Sequence, residues 1–466
     1  MKVRFLSFCR LVLFVCATLA FSSCNKTDGV SDAARDAQDS AALLRERDEA
    51  ARARAVADYV STLSDAEKIS QLFLVNIEGD TNFAPLERTG ALYGQDDVGD
   101  ALVPGGCLLF SYNIAASAEK IAAYTASIQR FYREHGMVPP YVAIDHEGGE
   151  VNRLRRITST LVSQKKTVEW FSPEDAYAIY AAQARQLRAL GIQVNLAPVV
   201  EAETAANSAF LETRTFGPLE VVLSYGAAEV RAYEDNGVAV VLKHFPGNSD
   251  TDPHTGLPHI TFSAIDHDTY FKPFELLLPM AGAVLMSHAV MQGAAETGVD
   301  YAASTEATAM PACFSRYWVT DVARMRFGFN GVIFSDDIFM GALAGNGYGP
   351  EIAAVAALEA GVNCIMLSGK KFGSIAGLLL AKAGEDEHFA TLVEESARRM
   401  IAFKVRVGLL DMVAVPLLEE AGSSSDAAED SASSVPVYHV VPRLQEDSFD
   451  AVVYKAAYDD GMAFYR

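Results

Sequence analysis

The sequence predicts an α/β protein folded as a (β/α)8 barrel, and two observations carry the prediction. Short apolar runs rich in β-branched residues recur along the middle of the chain, as is typical of parallel strands buried on both faces. Ala-rich amphipathic stretches separate several of them, as expected where a helix follows each strand. The runs number eight, at 71–77, 106–111, 141–145, 192–198, 238–245, 283–288, 331–336 and 364–368.

Two of the intervening stretches, 176–190 and 219–236, have the apolar periodicity of helices. Gly191 and Gly237 follow them directly, where a helix is expected to stop. A doubly wound sheet is the competing architecture for alternating strands and helices. It is disfavoured because no Gly-x-Gly-x-x-Gly fingerprint follows the first strand.

The composition excludes several classes of protein. Half of the 466 residues are hydrophobic, which excludes a largely disordered chain. The 60 Asp and Glu against 38 Lys and Arg give a net charge of −22, so we expect no nucleic-acid partner. No two of the six Cys have the Cys-x-x-Cys spacing of a zinc or redox motif.

The first 24 residues predict a lipoprotein-type signal peptide. A basic start precedes the apolar run 11–21, which is followed by Ser22-Ser23-Cys24. This ending resembles a bacterial lipobox, so we expect an exported protein anchored to a membrane through a lipid on Cys24. An ordinary secretory signal with an incidental cysteine is the alternative. Residues 25–56 are polar and Ala-rich and predict a solvated stalk.

The barrel domain is predicted at 57–412, and an acidic linker with a C-terminal extension at 413–466. Residues 421–434 are Ser, Ala and acidic residues, which is typical of a disordered linker. Residues 435–441 and 450–454 have strand-like or packing character, so the end of the chain is expected to dock on the barrel. We assign no function to this extension.

Polar residues follow or end five of the eight apolar runs. In a barrel the carboxyl ends of all strands meet at one mouth, where active sites lie. Any one of these residues alone could be a helix cap or a satisfied buried group, but five together favour an active site. The residues are Asp145, Asn195, Lys243 with His244, Ser287 with His288, and Ser335 with Asp336 and Asp337.

The mouth has the groups for acid–base and carboxylate chemistry. Its histidines lack the His-x-His or His-Glu-x-x-His spacing of metal sites, and no Gly-x-Ser-x-Gly or phosphate-binding loop is present. We therefore expect no metal and no cofactor. A neutral polar substrate remains, and glycoside hydrolysis is the reaction that two carboxyl or equivalent groups most commonly perform on one.

Several motifs occur in a characteristic order between residues 61 and 411. Together they resemble the N-terminal catalytic domain of glycoside hydrolase family 3, in its bacterial β-N-acetylhexosaminidase branch. The motifs are Leu63–Ile69, Gly105-Gly106, Ile144–Gly149, Asn195–Val199, Arg214–Gly217, Lys243–Gly247, Gly328–Asp337 and Gly408–Asp411.

The resemblance implies a retaining mechanism in which Asp336 is the nucleophile. It also implies that His254, paired with Asp252 on a flexible loop, is the general acid and base. Here Asn248-Ser249 replaces the His-Gly of the family pattern, the loop is shorter, and Pro253 separates the two members of the pair. The residues expected to bind substrate are Asp145, Arg214, Lys243, His244, Arg153 and His288.

The expected activity is removal of terminal β-linked N-acetylglucosamine by a monomer, with peptidoglycan fragments as one candidate substrate. A β-glucosidase-type hydrolase of the same family is an alternative, although too few residues follow Asp411 for the second domain that is usual there. A sugar-binding lipoprotein that has lost catalysis is another. A histidine acid also leaves open transfer to phosphate, since it does not repel that anion.

Overall fold

The computed structural model describes residues 32–83, 102–261, 264–292, 310–369, 371–415, 436–443 and 449–466. Eight parallel strands close into one barrel in which each strand pairs with its neighbours in the sequence, and the last pairs with the first. The prediction of a (β/α)8 barrel is confirmed, and each strand lies within or overlaps its predicted run. The strands are β1 (Phe73–Asn76), β2 (Gly106–Leu109), β3 (Tyr141–Ile144), β4 (Val194–Asn195), β5 (Ala239–Phe245), β6 (Ala283–Met286), β7 (Val332–Asp337) and β8 (Cys364–Leu367).

Helices fill most of the chain between the strands. The α-helices are Asp32–Ser61, Asp65–Gln71, Ala118–Glu134, Gln164–Trp170, Pro173–Ala189, Ser208–Leu211, Leu219–Asp235, Ala264–Leu277, Gly341–Ala344, Pro350–Ala360, Phe372–Glu385, Glu387–Arg406 and Ala451–Ala463. Tyr317–Arg326 is a π-helix, and short 3-10 turns occupy Ser111–Asn113, Leu278–Met280 and Ala312–Phe314. Three pairs of strands lie outside the barrel: His146–Gly148 with Val151–Asn152, His259–Thr261 with Val290–Gln292, and Leu410–Val415 with Val437–Pro442.

Local sequence explains where the predicted helices begin and end. The Ser172 hydroxyl accepts the N–H of Asp175, and Pro173 occupies the first helical position, where its missing N–H costs nothing. Gly191 and Gly237 follow the two predicted helices with φ of 74° and 72°. This left-handed conformation is one that glycine adopts without strain, so both predicted stops are confirmed.

The barrel interior is closed by aromatic side chains. The Tyr141 ring lies 5.7 Å from the Phe403 ring of the last barrel helix and 6.3 Å from Phe334 of β7, both edge-on. A Cβ at Gly106 would stand 2.2 Å from the Tyr141 ring. Glycine at position 106, the first residue of β2, is therefore explained by close packing, because a larger residue would displace this ring.

The residues of the barrel form one compact unit with the C-terminal extension, Arg52–Leu417 and Val437–Arg466. Residues 450–454 are the cap and first turn of a helix rather than a strand. This helix packs on Pro173–Ala189, where a Cβ at Gly461 would stand 2.2 Å from Ser159 Oγ. A second unit comprises Met1–Ala51 and Leu418–Pro436, and in it the structure describes helical residues 32–51.

The predicted signal peptide with Cys24, and the linker at 421–434, lie outside the described residues. Within the ranges that the structure does describe, no helix is both long and apolar enough to cross a bilayer.

Candidate active site

The predicted polar residues lie at the carboxyl ends of five neighbouring strands of the barrel. Asp145 directly follows β3, and Asn195 ends β4. Lys243 and His244 are the two residues before the last residue of β5, and Asp336 is the penultimate residue of β7. Because all eight strands are parallel, these side chains share one mouth, as the sequence predicted.

Lys243 is the centre of a buried charge network. Its Nζ donates to Asp145 Oδ1 at 2.8 Å and lies 2.7 Å from Glu147 Oε1. Arg214 donates from Nε and Nη2 to the two oxygens of Glu147, at 2.8 and 2.9 Å. Burial acts to raise the pKa of Glu147, but the charges of Lys243 and Arg214 hold it well below its ordinary value. Glu147 is therefore ionised in the folded protein.

A strand pair after β3 positions Glu147. Gly148 and Gly149 turn the chain with φ of 98° and 56°, and a Cβ at Gly148 would stand 2.2 Å from the Val162 carbonyl oxygen. The neighbouring His146 packs the other way, its Nε2 lying 3.0 Å from Gln183 Oε1, and burial lowers its pKa to about 4. His146 is thus a neutral supporting group, and the two glycines allow Glu147 to reach the mouth.

His244 belongs to a second buried cluster around Glu201. His244 Nδ1 lies 2.7 Å from Glu201 Oε1. Asn248 donates its backbone N–H to Glu201 Oε2 at 2.6 Å and its side-chain amide to Oε1 at 3.0 Å. Only 1% of the Glu201 side chain is exposed. Glu201 therefore fixes both the His244 ring and the start of the loop that leads to His254.

The two adjacent carboxylates of β7 have different surroundings. Asp337 Oδ1 accepts the N–H groups of Phe339 and Ser368, both at 3.1 Å, so it holds the turn after the strand. Asp336 Oδ1 accepts the N–H of Asp337 at 2.8 Å, and the residue is 6% exposed. The structural role therefore belongs to Asp337, and Asp336 is left facing the mouth.

His288 lies beneath these carboxylates and is 1% exposed. Its Nε2 is 3.1 Å from the Asp337 carbonyl oxygen, and its Nδ1 is 3.2 Å from Cys313 Sγ. Burial lowers its pKa, although the charges of Asp336 and Asp337 oppose the shift. A neutral His288 thus supports the end of β7 from below.

Asp252 and His254 form the predicted pair. His254 Nδ1 lies 2.7 Å from Asp252 Oδ1, and the His254 backbone N–H donates to the same oxygen at 2.9 Å. Burial acts to raise the pKa of Asp252, but these hydrogen bonds and the charges of His254 and Arg214 together outweigh it and lower the pKa. The side chains of His254 and Asp252 are 68% and 50% exposed, so the pair faces solvent and is accessible to a substrate.

Arg153 is placed at the rim by the segment after β3. Its guanidinium lies 5.9 Å from the centre of the Phe110 ring, which is stacked on the exposed Tyr112. Its Nε is buried and has no hydrogen-bond partner among the described residues. Within those residues, no three His, Cys, Asp or Glu side chains are grouped as metal ligands would be.

The sequence model described as "Glycosyl hydrolase family 3 N terminal domain" matches residues 65–403. The chain belongs to this family. A relative, "Beta-hexosaminidase A" of Pseudoalteromonas piscicida, is 31% identical over 278 residues, which are 56% of this chain and 45% of the relative. This chain thus spans less than half of that relative's length. "Beta-hexosaminidase" of Tolumonas auensis is 30% identical over 283 residues, 58% of this chain and 78% of the relative.

Solved family 3 structures share the fold. The β-N-acetylhexosaminidase of Beutenbergia cavernae superposes with a TM-score of 0.63 at 27% identity, covering 73% of this chain and 98% of its own. A glycoside hydrolase family 3 β-N-acetylglucosaminidase from a Paenibacillus species gives the same TM-score at 25% identity, covering 80% and 67%.

Two carboxylates of the barrel mouth, Glu147 and Glu201, escaped the sequence prediction. Glu147 lies within the quoted Asp-His-Glu-Gly-Gly motif, two residues after Asp145, and that spacing was the available signal. Glu201 ends the apolar stretch after β4, and nothing in its local sequence distinguishes it from a surface carboxylate. Their partners come from distant parts of the sequence, so only the folded structure shows what they do.

Proposed function

We propose that this family 3 glycoside hydrolase removes terminal β-linked N-acetylglucosamine with retention of configuration, and that Asp336 is its nucleophile. The names of its relatives support the sugar. The barrel mouth supports the chemistry, because a carboxylate and a histidine–carboxylate pair can act there as nucleophile and acid–base group.

One observation carries the assignment of Asp336. The other carboxylates of the mouth are engaged: Asp145 and Glu147 with Lys243, Glu201 with His244, and Asp337 with two backbone N–H groups. Among the described residues Asp336 has one hydrogen bond, from its neighbour's N–H, and no ion pair. It is therefore the carboxylate whose lone pairs are available to form a bond.

The reaction would proceed in two balanced steps. In the first, an Asp336 oxygen attacks the anomeric carbon, the bond to the glycosidic oxygen breaks, and the His254 imidazolium gives that oxygen a proton. In the second, water attacks the same carbon, the ester to Asp336 breaks, and the neutral His254 takes the proton from water. Asp252, by accepting from Nδ1, would leave Nε2 for both transfers.

The remaining predicted residues suit sugar binding. Charge-assisted hydrogen bonds from cations and to carboxylates are the strong contacts available to sugar hydroxyls. Asp145 and Arg214, with 21% and 25% of their side chains exposed, can reach a sugar while Lys243 holds Asp145 in place. We propose that these three residues, with His244 and Arg153, line the sugar subsite, and that His288, predicted to bind substrate, supports the subsite through the end of β7.

A panel of aryl β-glycosides tests this function. We expect turnover of the N-acetylglucosaminide, a loss of about 10³-fold or more in Asp336→Asn, and full activity in Asp459→Asn, a surface carboxylate on the last helix. Turnover of the glucoside instead would indicate the β-glucosidase alternative. Sugar binding without turnover of any member would indicate a binding protein and overturn the proposal. Repeating the assay in phosphate separates hydrolysis from transfer to phosphate.

We also propose that the protein is an exported lipoprotein monomer acting on cell-wall fragments. The support is the sequence around Cys24. Palmitate labelling of the wild type, and release of Cys24→Ser from the membrane fraction, are expected. An unlabelled wild type, or a Cys24→Ser variant that stays anchored, would refute the lipid anchor.

A further inference from the structure

The loop that carries His254 is docked on the segment that follows β7. The backbone N–H of Ala342 donates to the carbonyl oxygen of Pro253 at 3.0 Å. At Gly341, a Cβ would stand 2.3 Å from the His254 carbonyl oxygen and 3.2 Å from its carbon. Gly341 is the fifth residue after Asp336, so the loop contacts the same short stretch of chain that presents Asp336.

Close approach, and not backbone conformation, is what requires glycine at position 341. Its φ lies outside the left-handed range that other residues avoid, so alanine could adopt its backbone conformation. Real Cβ atoms do not approach an oxygen to 2.3 Å, and the atoms opposed are backbone atoms that cannot rotate away. A side chain at this position must therefore separate the His254 backbone from the segment that carries Gly341.

Hydrogen bonds also fix the loop, both between its own residues and at its first residues. Asp252 accepts the backbone N–H groups of Thr255 and Gly256 through its carbonyl oxygen, both at 3.0 Å. Pro253 is buried, whereas Asp252 and His254 on either side of it are exposed. Asp250 Oδ1 accepts the N–H of Ala209 at 3.1 Å, which fixes the near end of the loop. The proline thus faces the protein while the two functional side chains face the mouth.

We propose that Gly341, together with Pro253, is a positioning residue that fixes the His254–Asp252 pair relative to Asp336 before substrate binds. This inference rests on the proposed function. It assigns to this chain a docked acid–base loop in place of the flexible loop that the family resemblance implies. The shorter loop and the proline between the paired residues fit this arrangement, because both reduce the conformations that an undocked loop could adopt.

The chemical consequence depends on the leaving group. A poor leaving group must receive the His254 proton as the bond to the anomeric carbon breaks, whereas dinitrophenolate leaves without it. Displacing the loop should therefore slow the hydrolysis of glycosides with poor leaving groups more than that of glycosides with good ones. The glycosyl–Asp336 ester would then also lack its base, so azide, which needs none, should attack the anomeric carbon, release Asp336 and yield a glycosyl azide.

The test compares Gly341→Ala with Gly349→Ala. Gly349 precedes the next helix, and a Cβ there meets only the Glu351 carboxylate at 3.8 Å, an ordinary contact. We expect Gly341→Ala to lose about 10-fold or more in kcat on phenyl β-N-acetylglucosaminide, about 3-fold or less in kcat/KM on the dinitrophenyl substrate, and to be accelerated by azide. Gly349→Ala should match the wild type. Pro253→Ala, which keeps the carbonyl acceptor, should show a smaller loss of the same kind.

Hydrogen exchange measures the docking independently of turnover. Peptides covering 250–258 and the Ala342 amide should be protected in the wild type and exchange faster in Gly341→Ala, with the rest of the barrel unchanged. Equal exchange in both proteins, or equal loss of activity on all leaving groups, would overturn the inference. A wild type that turns over no glycoside but protects these peptides would contradict the proposed function and leave the docking established.

Discussion

Arg214 makes a bidentate interaction with Glu147. Its Nε donates to one carboxylate oxygen at 2.8 Å and its Nη2 to the other at 2.9 Å. Lys243 adds a third contact to the same buried carboxylate at 2.7 Å. One anion thus contacts two cations, Lys243 from strand β5 and Arg214 from a loop, and Lys243 also contacts Asp145. The positions of Arg214, Lys243 and Asp145 therefore depend on the single carboxylate of Glu147.

Replacing Glu147 with glutamine should damage both stability and binding. Asp145 would then be the one carboxylate of this network left to balance the charges of Lys243 and Arg214. Removing one partner of a buried ion pair costs about 3–5 kcal/mol. We expect the free energy of unfolding, measured by urea denaturation, to fall by about that amount and the KM to rise. Glu203→Gln removes a half-exposed pair with Lys165 and should change stability by less than about 1 kcal/mol. Equal effects of the two variants would contradict this role of Glu147.

Replacing Glu201 with glutamine should lower activity, because Glu201 positions His244 and Asn248. In Glu201→Gln the side chain still accepts one hydrogen bond, but the charge facing His244 and the Asn248 N–H is gone. Charge-assisted hydrogen bonds of this kind contribute about 1.5–3 kcal/mol each. We expect kcat/KM to fall by about 10-fold or more, since one such bond corresponds to that factor. Steady-state kinetics that match the wild type would show that His244 is held by other contacts.

Lys404 should make stability rise with pH above neutrality. Burial lowers its pKa to about 7 from 10.5, and Gln71 Oε1 accepts from its Nζ at 2.6 Å. Between these values the unfolded chain binds more protons than the folded one, so raising the pH favours the fold. Relative to Lys404→Met, the wild type should gain about 1 kcal/mol per pH unit between pH 7 and 9 in urea unfolding. A stability difference that is constant with pH would contradict it.

Glu229 should make stability fall as pH rises, the opposite of the effect of Lys404. Burial raises the pKa of Glu229 to about 8 from 4.5. The folded state holds this proton while the unfolded state releases it, so its contribution is full below pH 4.5 and is lost as pH rises through 8. Relative to Glu229→Gln, the wild type should lose about 1 kcal/mol per pH unit between pH 5 and 8. Parallel stability curves for the two proteins would refute this.

The barrel was predictable because its signals are local. Each strand is a short apolar run, and the glycines after two helices mark their ends, so neither inference needs information from distant residues. Asp145 and Asp336 were found the same way, because each stands at the end of a run. Once strand order is given, the geometry of a barrel brings such positions together.

The supporting contacts were not predictable because their partners are far apart in sequence. Glu147 and Arg214 are 67 residues apart, and Pro253 meets Ala342 from a different loop of the mouth. Nothing in the composition of either segment indicates the other. The loop was expected to be flexible because the family resemblance implies it, and nothing in its own residues indicates the contact with Ala342.

Covalent trapping tests the central claim most directly. A fluorinated N-acetylglucosaminide whose glycosyl-enzyme hydrolyses slowly should add the mass of one sugar to the intact protein, and peptide mapping should place it on Asp336. The adduct should be absent from Asp336→Asn and present in Asp459→Asn. An adduct on another carboxylate, or continued turnover of the probe with no adduct at any time, would contradict the account.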